Sequence, residues 1–401
     1  MAASMRLPPV TVSPSPTPAL WLLVLVTLTG TMAMHMFVPA LPDAAASLGS
    51  GAGPMQMTIG IYVIGLAVGQ LFYGPLSDAY GRRPLLLTGL GLYALGGLVA
   101  ALAPNLATLL GARLLQALGG SAGVALGRAI VRDTQPPSGA VRQMALMNLM
   151  VLVSPGLAPV IGGALAGALG WRSVFCMLAG IGAVTLWFAW RRLPETAQPS
   201  GTFGIATIRR DYGALLRMRR FMAYALGGAG ATTSFFAFVA AAPFIYTTEL
   251  HQPPARVGVY MGLMALGMAT GNYLTSRLIR SVSAERLLRI GNFISLGSAA
   301  ALLLVIALDQ LSVPATLLTM LGYTAGAGMT SPAAMAKAIE VDRPLIGAAA
   351  GLYGFTQMAV GAVCTTVAAM GTDPALSAVS VLVGASLLSF FSFRVAVRAP
   401  A

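Results

Sequence analysis

The chain is poor in charge and in cysteine, and these shortages exclude most soluble classes of protein. Asp, Glu, Lys and Arg make up only 9% of 401 residues, whereas apolar residues reach 57% and the mean hydropathy is +0.81. Charged residues form roughly a quarter of an ordinary globular chain, so this deficit predicts a polytopic membrane protein. The two cysteines, Cys176 and Cys364, lie in separate apolar runs and indicate neither a disulfide framework nor a metal site.

Motifs for common enzymatic chemistry are also missing. The sequence contains no Walker-type phosphate loop, no H-E-x-x-H and no nucleophile elbow. We therefore predict that the protein is not an enzyme, holds no cofactor or metal, and depends on an ion gradient for any work it does. The net charge of +13 does not indicate nucleic acid, because the basic residues are spread over short loops instead of one solvated face.

Twelve apolar runs alternate with polar loops, and one long interruption at 194–219 separates six runs from six. We predict an all-α membrane protein with two pseudo-symmetric six-helix halves, 20–193 and 220–396. The interruption is then a cytoplasmic linker, and 1–19 (a disordered segment) and 397–401 are cytoplasmic tails. The first run is too long for the core of a cleaved signal peptide. The predicted spans are 20–42, 54–76, 84–103, 106–131, 141–169, 172–193, 220–247, 254–279, 286–308, 312–336, 344–370 and 374–396.

The distribution of basic residues predicts the orientation in the membrane. With a cytoplasmic N-terminus, 20 of the 24 Lys and Arg residues fall on the cytoplasmic side. Arg172 and Arg256 fall on the other side, and Arg113 and Arg128 lie inside the fourth span. Under the positive-inside rule both termini are therefore cytoplasmic, and we expect the protein in a bacterial inner membrane.

A polar segment at 74–84 joins the second and third spans, with some seven residues between the apolar runs. Gly74 and Gly81 permit close approach of the backbone, and Asp78 can accept hydrogen bonds from amides at a helix N-terminus. Arg82 and Arg83 hold the loop on the positive side. The pattern G-x-x-x-D-x-x-G-R-R resembles the loop between helices 2 and 3 of the major facilitator superfamily. The resemblance implies a twelve-helix transporter and a conformational switch at this loop.

An arginine lies inside the fourth span, about eight residues or 12 Å from the end of the helix. Arg113 either has a structural role, in which it snorkels outward or satisfies backbone carbonyls, or it belongs to a functional site, which is the default for an ionisable residue within a membrane. The stretch from Arg113 to Gly120 resembles the superfamily's arginine motif, with Ala117 where glycine is commoner. The resemblance implies that Arg113 serves in proton coupling and cargo binding, and its neighbour Gln116 becomes a candidate for cargo binding.

A histidine lies near the end of the first span, in the stretch Met34-His35-Met36-Phe37-Val38-Pro39-Ala40-Leu41-Pro42. This ending resembles the Bcr/CflA group of drug exporters, in which an aspartate stands at the position of His35. Histidine titrates near neutral pH, so His35 is a candidate for both proton coupling and cargo binding. The alternative is a hydrogen-bonded structural histidine.

No acidic residue falls near the middle of any predicted span. A cavity that contains Arg113 and His35 without a carboxylate is neutral to positive. Its charge favours neutral, zwitterionic or anionic cargo over lipophilic cations.

The fifth span contains proline and paired glycines in the stretch Ser154-Pro155-Gly156-Leu157-Ala158-Pro159-Val160-Ile161-Gly162-Gly163. Such residues kink a helix and let a neighbour approach closely. The order Ala-Pro-x-x-Gly-Gly resembles the antiporter motif of superfamily exporters, with Ala158 in place of its usual glycine. The resemblance implies that Pro159, Gly162 and Gly163 act in the conformational switch, and it favours export. The alternative is a helix made thin for packing alone.

Charged residues near the inner end of the fourth span provide a further candidate switch. Arg132 and Asp133 lie there, close to Asp78 and Arg82 of the neighbouring loop. Such a cluster would be a cytoplasmic gate when the cavity faces outward. Solvated surface charge is the alternative, since surface ion pairs contribute little.

Aromatic and amide residues are candidates for the cargo surface, with plain packing as the alternative for each. Phe235 and Phe238 share a face of the seventh span, and Tyr353 and Gln357 share a face of the eleventh. Tyr62 of the second span is a further candidate.

These patterns together predict a proton-coupled antiporter that exports drugs or other small molecules by alternating access. Its partners are small-molecule cargo, protons and the lipid bilayer, and we expect a monomer. An exporter of an endogenous metabolite such as a siderophore is the nearest alternative. An importer or a passive channel is less consistent with the antiporter-like motif.

Overall fold

Helices form nearly all of the structure, and the described part of the chain contains no strand. The computed structural model describes residues 18–134, 137–197, 199, 201, 205–279, 281–341 and 345–398. Residues 1–17 of the predicted tail at 1–19, and residues 399–401 of the predicted tail at 397–401, lie outside this part. The helices are α1 (Leu20–Met36), α2 (Leu41–Ser47), α3 (Ala52–Tyr80), α4 (Arg82–Ala101), α5 (Leu106–Thr134), α6 (Pro137–Leu169), α7 (Arg172–Arg192), α8 (Ile205–Arg217), α9 (Arg219–Thr232), α10 (Phe235–Phe244), α11 (Pro254–Leu278), α12 (Ala284–Ala307), α13 (Val313–Ala338), α14 (Ile346–Ala369) and α15 (Pro374–Arg398).

Each of the twelve predicted spans coincides with one helix or with consecutive helical segments. Nine segments of the described chain are both long and apolar enough to cross a membrane. Few of the long helices have a strongly apolar side, because neighbouring helices and lipid both present apolar surface to them. The prediction of an all-α polytopic membrane protein is confirmed.

The segment at 74–84 is more helical than predicted. Helix α3 continues to Tyr80 and α4 begins at Arg82, so one residue, Gly81, separates them instead of some seven. Gly81 has φ of +100°, a conformation that favours glycine. Gly74 does not serve a close approach, because a β-carbon there would meet no atom within 4 Å.

The seventh span is divided, whereas the sequence predicts one continuous helix. It consists of α9, α10 and a π-helical turn at Ile245–Glu249, with a break at Thr233 and Ser234. The Thr233 hydroxyl donates to the carbonyl oxygen of Gln357 on α14, and the Ser234 hydroxyl lies 2.7 Å from that of Tyr323 on α13. Each hydroxyl also contacts a carbonyl oxygen four residues earlier in α9, that of Ala229 or Gly230, and side-chain bonds of this kind often bend a helix.

The predicted linker at 194–219 contains helix α8. Leu215 of α8 is fully buried, and the hydroxyl of Tyr212 approaches Gly351 of α14. Helix α8 is therefore packed against the second half of the chain, at α9 and α14.

The two halves repeat the same helix packing. In the first half α5 packs against α3 and α4, and α4 also packs against α7. In the second half α13 packs against α11 and α12, and α12 also packs against α15. The pairs α6 with α11 and α3 with α14 join the halves. We call the end of the bundle where α1 begins and α15 ends the basic face.

Close backbone contact between the halves occurs near the face opposite the basic face, at two places that we together call the glycine seam: Gly53 between α3 and α14, and Gly156, Gly163, Gly258 and Gly262 between α6 and α11. A β-carbon on Gly258 would overlap the carbonyl oxygen of Pro159, and one on Gly53 would overlap that of Ala369. Small residues permit such approach where the backbones of two membrane helices meet.

A larger residue in the glycine seam should force the halves apart at that face. We expect Gly258→Leu to increase alkylation of a cysteine introduced by Ala265→Cys several-fold, after Cys176 and Cys364 are replaced by serine. The matched control is Gly91→Leu, because a β-carbon on Gly91 meets no atom within 4 Å. Equal alkylation in the two variants would contradict the seam.

Candidate functional site

A small cavity lies between the two halves, and His35 lines it from α1. Its volume of about 20 Å³ has room for roughly one water molecule. Methionines dominate the wall from the second half, and such flexible, polarizable side chains adapt to different ligands. The lining residues are His35, Pro155, Pro159, Phe235, Val239, Met261, Met264, Ala265, Met268 and Thr324.

His35 is 7% exposed, and its Nδ1 lies 2.9 Å from the carbonyl oxygen of Thr31. A ring nitrogen that donates to a carbonyl carries the proton, so Nε2 is the basic nitrogen of the neutral ring. His35 is the one ionisable residue among those that line this cavity. Of the described lining residues, only this imidazole can change the charge of the cavity, by taking up a proton.

Arg113 is fully buried in the interior of the first half and does not snorkel. One guanidinium nitrogen, Nη1, donates to the carbonyl oxygen of Ala33 at 3.0 Å and to Oε1 of Gln116 at 2.7 Å. The guanidinium carbon lies 4.0 Å from the ring centre of Tyr62, so the charge contacts the face of an aromatic ring. Arg113 therefore contacts α1, the helix of His35, without lining the cavity between the halves.

The polar groups around Arg113 are incompletely paired. Nε and Nη2 of Arg113 and Nε2 of Gln116 have no hydrogen-bond partner among the described residues. No carboxylate of the described chain pairs with this guanidinium. Buried donors of this kind are ordinarily met by internal water. The roles of Arg113 and Gln116 in coupling and cargo binding stay predictions.

The predicted cargo residues do not form one surface. Phe235 lines the cavity at His35, but Phe238 is 1% exposed and packs in the core. Tyr62 is fully buried under Arg113, and its hydroxyl donates to Gly30. Tyr353 is also buried.

Gln357 belongs to a cluster of polar side chains next to the break in the seventh span. Its Nε2 lies 3.1 Å from the Thr232 hydroxyl and 3.5 Å from that of Tyr353. The predicted pairing of Tyr353 with Gln357 is therefore a contact inside the second half. No sequence pattern marked Thr232, because single threonines are common in apolar helices.

Pro159 and Gly163 of the motif in the fifth span lie where the halves meet, whereas Gly162 contacts α1 of its own half. A β-carbon on Gly162 would overlap the carbonyl oxygen of Met36 on α1. One on Gly163 would lie 2.8 Å from the carbonyl oxygen of Pro254 on α11, and Pro159 lines the cavity. The glycines of the motif therefore let neighbouring helices approach α6 closely. Its action as a switch stays a prediction.

Arg82 is the centre of a charge cluster at the basic face of the first half. Its guanidinium is 2.6 Å from an oxygen of Asp78 and 2.9 Å from one of Asp133, and it also contacts the Ser77 hydroxyl. Arg82 is only 5% exposed. Arg132 is more exposed and lies 3.7 Å from Asp133.

Glu195 is a member of this cluster that the sequence analysis missed. Its carboxylate accepts hydrogen bonds from the backbone amides of Arg82 and Arg83 at 2.8 and 3.1 Å, which stabilises the start of α4. The prediction that Asp78 accepts at a helix N-terminus is therefore wrong. Glu195 follows the sixth span in the chain, and local spacing could not bring it to the loop. The Arg83 guanidinium donates to the carbonyl oxygen of Trp190.

The second half has a charge cluster at the same face. Lys337 lies 3.1 Å from an oxygen of Glu285 and 3.1 Å from one of Glu340, and Arg220 lies 3.2 Å from Glu340. Each cluster is complete within its own half. Among the described residues no ion pair crosses between the halves, so the predicted gate is not a bridge between them in this structure.

Two similar helical halves with a cavity between them define a membrane transport protein. The chain belongs to the Major Facilitator Superfamily, which matches residues 23–365.

Relatives and a solved structure agree with this assignment. The uncharacterized MFS-type transporter YdgK of Bacillus subtilis is 30% identical over 365 residues, covering 89% of this chain and 90% of that protein. The bicyclomycin resistance protein homolog of Haemophilus influenzae is 27% identical over 362 residues, covering 89% and 91%. The resemblance to the Bcr/CflA group is thereby confirmed. A bacterial homolog of the human lysosomal transporter Spinster, in an inward-facing and occupied conformation, shares the fold with a TM-score of 0.75, 15% identity and coverage of 95% and 96%.

Removal of Arg82 should destabilise the first half more than removal of Arg132. Arg82→Gln leaves two carboxylates without their buried partner, and we expect it to lower the free energy of unfolding by about 2 kcal/mol. Arg132→Gln removes an exposed partner of the same Asp133, with an expected cost below about 1 kcal/mol. Thermal unfolding of the purified variants in detergent measures both. Equal losses would show that burial of Arg82 adds nothing.

Proposed function

We propose that the protein exports apolar drugs in exchange for protons across a bacterial inner membrane, with His35 as the proton carrier. The position of His35 carries this proposal, because it is the ionisable lining residue of a cavity that both halves form. The name of the Haemophilus relative, a bicyclomycin resistance protein homolog, supports drugs as cargo. Small-molecule cargo and protons then compete for one site.

Exchange of drug for proton follows from the free-energy cost of placing a charge in this cavity. Neutral His35 leaves an apolar lining, which favours apolar cargo. Protonation at Nε2 places a cation among methionine, proline and aliphatic side chains, at a cost of several kcal/mol unless water enters. The protonated form therefore favours a cavity that is open to water and releases its cargo.

The remaining predicted residues have supporting parts in this mechanism. Arg113 and Gln116 fix the depth of α1 through the carbonyl oxygen of Ala33, and so position His35. The cluster around Arg82 stiffens the first half at the basic face, and the glycine seam closes the opposite face. We place the basic face and both termini in the cytoplasm, as the positive-inside rule expects, and the exporter acts as a monomer.

The cavity lining favours drugs over the alternative cargo, an endogenous siderophore. Siderophores carry many polar metal-binding groups. Of the lining residues, only His35 and Thr324 offer polar side chains. The lining therefore matches apolar cargo better, and the cavity must widen from its present volume of about 20 Å³ to admit a drug.

His35 is expected to be required for coupling to the pH gradient. In proteoliposomes, His35→Gln should reduce drug uptake driven by a pH gradient by about tenfold or more, because glutamine cannot carry a proton. Binding of the drug should change only a few-fold. His251→Asn is the matched control, since the chain has two histidines and this one is exposed with φ of 50°. Unchanged coupling in His35→Gln would contradict the proposal.

The charge of the side chain at position 35 should determine the charge of the cargo that the protein transports. We expect the wild type to transport neutral drugs but not ethidium, whereas His35→Asp gains ethidium transport because a carboxylate supplies the missing countercharge. Fluorescence of ethidium in everted vesicles measures this. Wild-type ethidium export equal to that of His35→Asp would refute the proposed cargo class.

A further inference from the structure

A second cavity, of about 360 Å³, opens at the basic face between helices of the second half. The N-terminal parts of α9 and α12 and the last turns of α15 form it, and we call it the arginine cleft. Arg289, Arg394 and Arg398 line it, together with Asn292, Phe293 and Tyr224. It is separate from the cavity of His35, which lies between the halves.

The arginine cleft carries a positive charge that the described protein does not neutralise. Its one acidic lining residue, Glu285, lies 3.1 Å from Lys337 and is thus paired elsewhere. No carboxylate of the described residues lies within ion-pair distance of the three arginines. The guanidinium of Arg394 lies 4.4 Å from the ring centre of Phe390, which holds it at the wall of the cleft.

The cleft also has an apolar side and a polar base. Phe293 is 55% exposed and Val397 is 60% exposed, so the wall continues onto the surface that faces the membrane. At the base, Asn292 is 1% exposed and donates to the carbonyl oxygen of Ser386. Its Oδ1 accepts no hydrogen bond from the described residues. A ligand for this site therefore combines an anion, a hydroxyl or other donor, and apolar chains.

We propose that the arginine cleft binds the headgroup of an anionic phospholipid with a hydroxylated headgroup, such as phosphatidylglycerol. The three guanidiniums contact the phosphate, with the planar donor geometry that suits its oxygens. Asn292 accepts from a headgroup hydroxyl, and the acyl chains lie along Phe293 and Val397. Basic clefts between membrane helices at one leaflet recognise anionic lipids in this way. The exposed apolar wall favours a lipid over free phosphate, which has no chains to cover it.

The test is native mass spectrometry of the full-length protein in detergent with phosphatidylglycerol or phosphatidylcholine added. We expect the wild type to retain phosphatidylglycerol about tenfold more than phosphatidylcholine. The triple variant Arg289→Gln, Arg394→Gln and Arg398→Gln should lose this preference. The matched control replaces Arg191, Arg192 and Arg277 by Gln, because these arginines also lie over aromatic rings but outside the cleft.

Further arms separate the lipid from other ligands and from misfolding. Inorganic phosphate and glycerol 1-phosphate at equal concentration should leave phosphatidylglycerol bound; displacement by either would show a small-anion site and overturn the proposal. Equal retention of phosphatidylcholine, or a cleft variant that binds like the wild type, would also overturn it. If the triple variant does not fold, the single variant Arg398→Gln replaces it in the test. Its substitution lies at the end of α15, so the protein should still fold, and its retention of phosphatidylglycerol should be weaker than that of the wild type.

Discussion

Direct backbone contact between the two halves is the constraint on which the rest of the structure depends. At Gly53 and Gly258 the backbone of one half meets a carbonyl oxygen of the other, with no side chain between them. Lipid gives no hydrophobic drive for helices to associate, so close packing of this kind must supply the attraction. Backbone packing of this kind also lets the two halves separate together, because few interlocked side chains have to come apart. Helix pairs α6 with α11 and α3 with α14 can therefore hold one face closed without fixing it permanently.

The position of charge follows from the same low-dielectric surroundings. Ion pairs with several members occur at the basic face, around Arg82 in the first half and Lys337 in the second. In the interior the described chain keeps Arg113, which contacts carbonyl and amide oxygens and an aromatic face, and His35, which can be neutral. An imidazole is the one of these groups whose charge changes near neutral pH. In the mechanism that we propose, protonation of His35 therefore decides whether the cavity is dry or open to water.

Periodic and compositional features could be predicted from the sequence, and contacts between distant segments could not. Apolar runs fixed the twelve spans because membrane thickness sets their length. The motifs located Arg82, Arg113 and the glycines of α6. Glu195 escaped notice because its partners lie more than 100 residues earlier. The contact of Thr233 with the Gln357 carbonyl oxygen of α14, and that of Arg113 with the Ala33 carbonyl oxygen of α1, likewise join segments that are distant in the sequence.

The central claim is that the halves alternate about the cavity of His35, and distances between paired spin labels test it most directly. One pair, Asn105→Cys with Thr372→Cys, reports the face of the glycine seam, and another, Tyr80→Cys with Ser281→Cys, reports the basic face, in a background without Cys176 and Cys364. Acidification should lengthen the first distance and shorten the second in the same molecules. If both distances stay constant, or change together, with pH and with added drug, the account is contradicted.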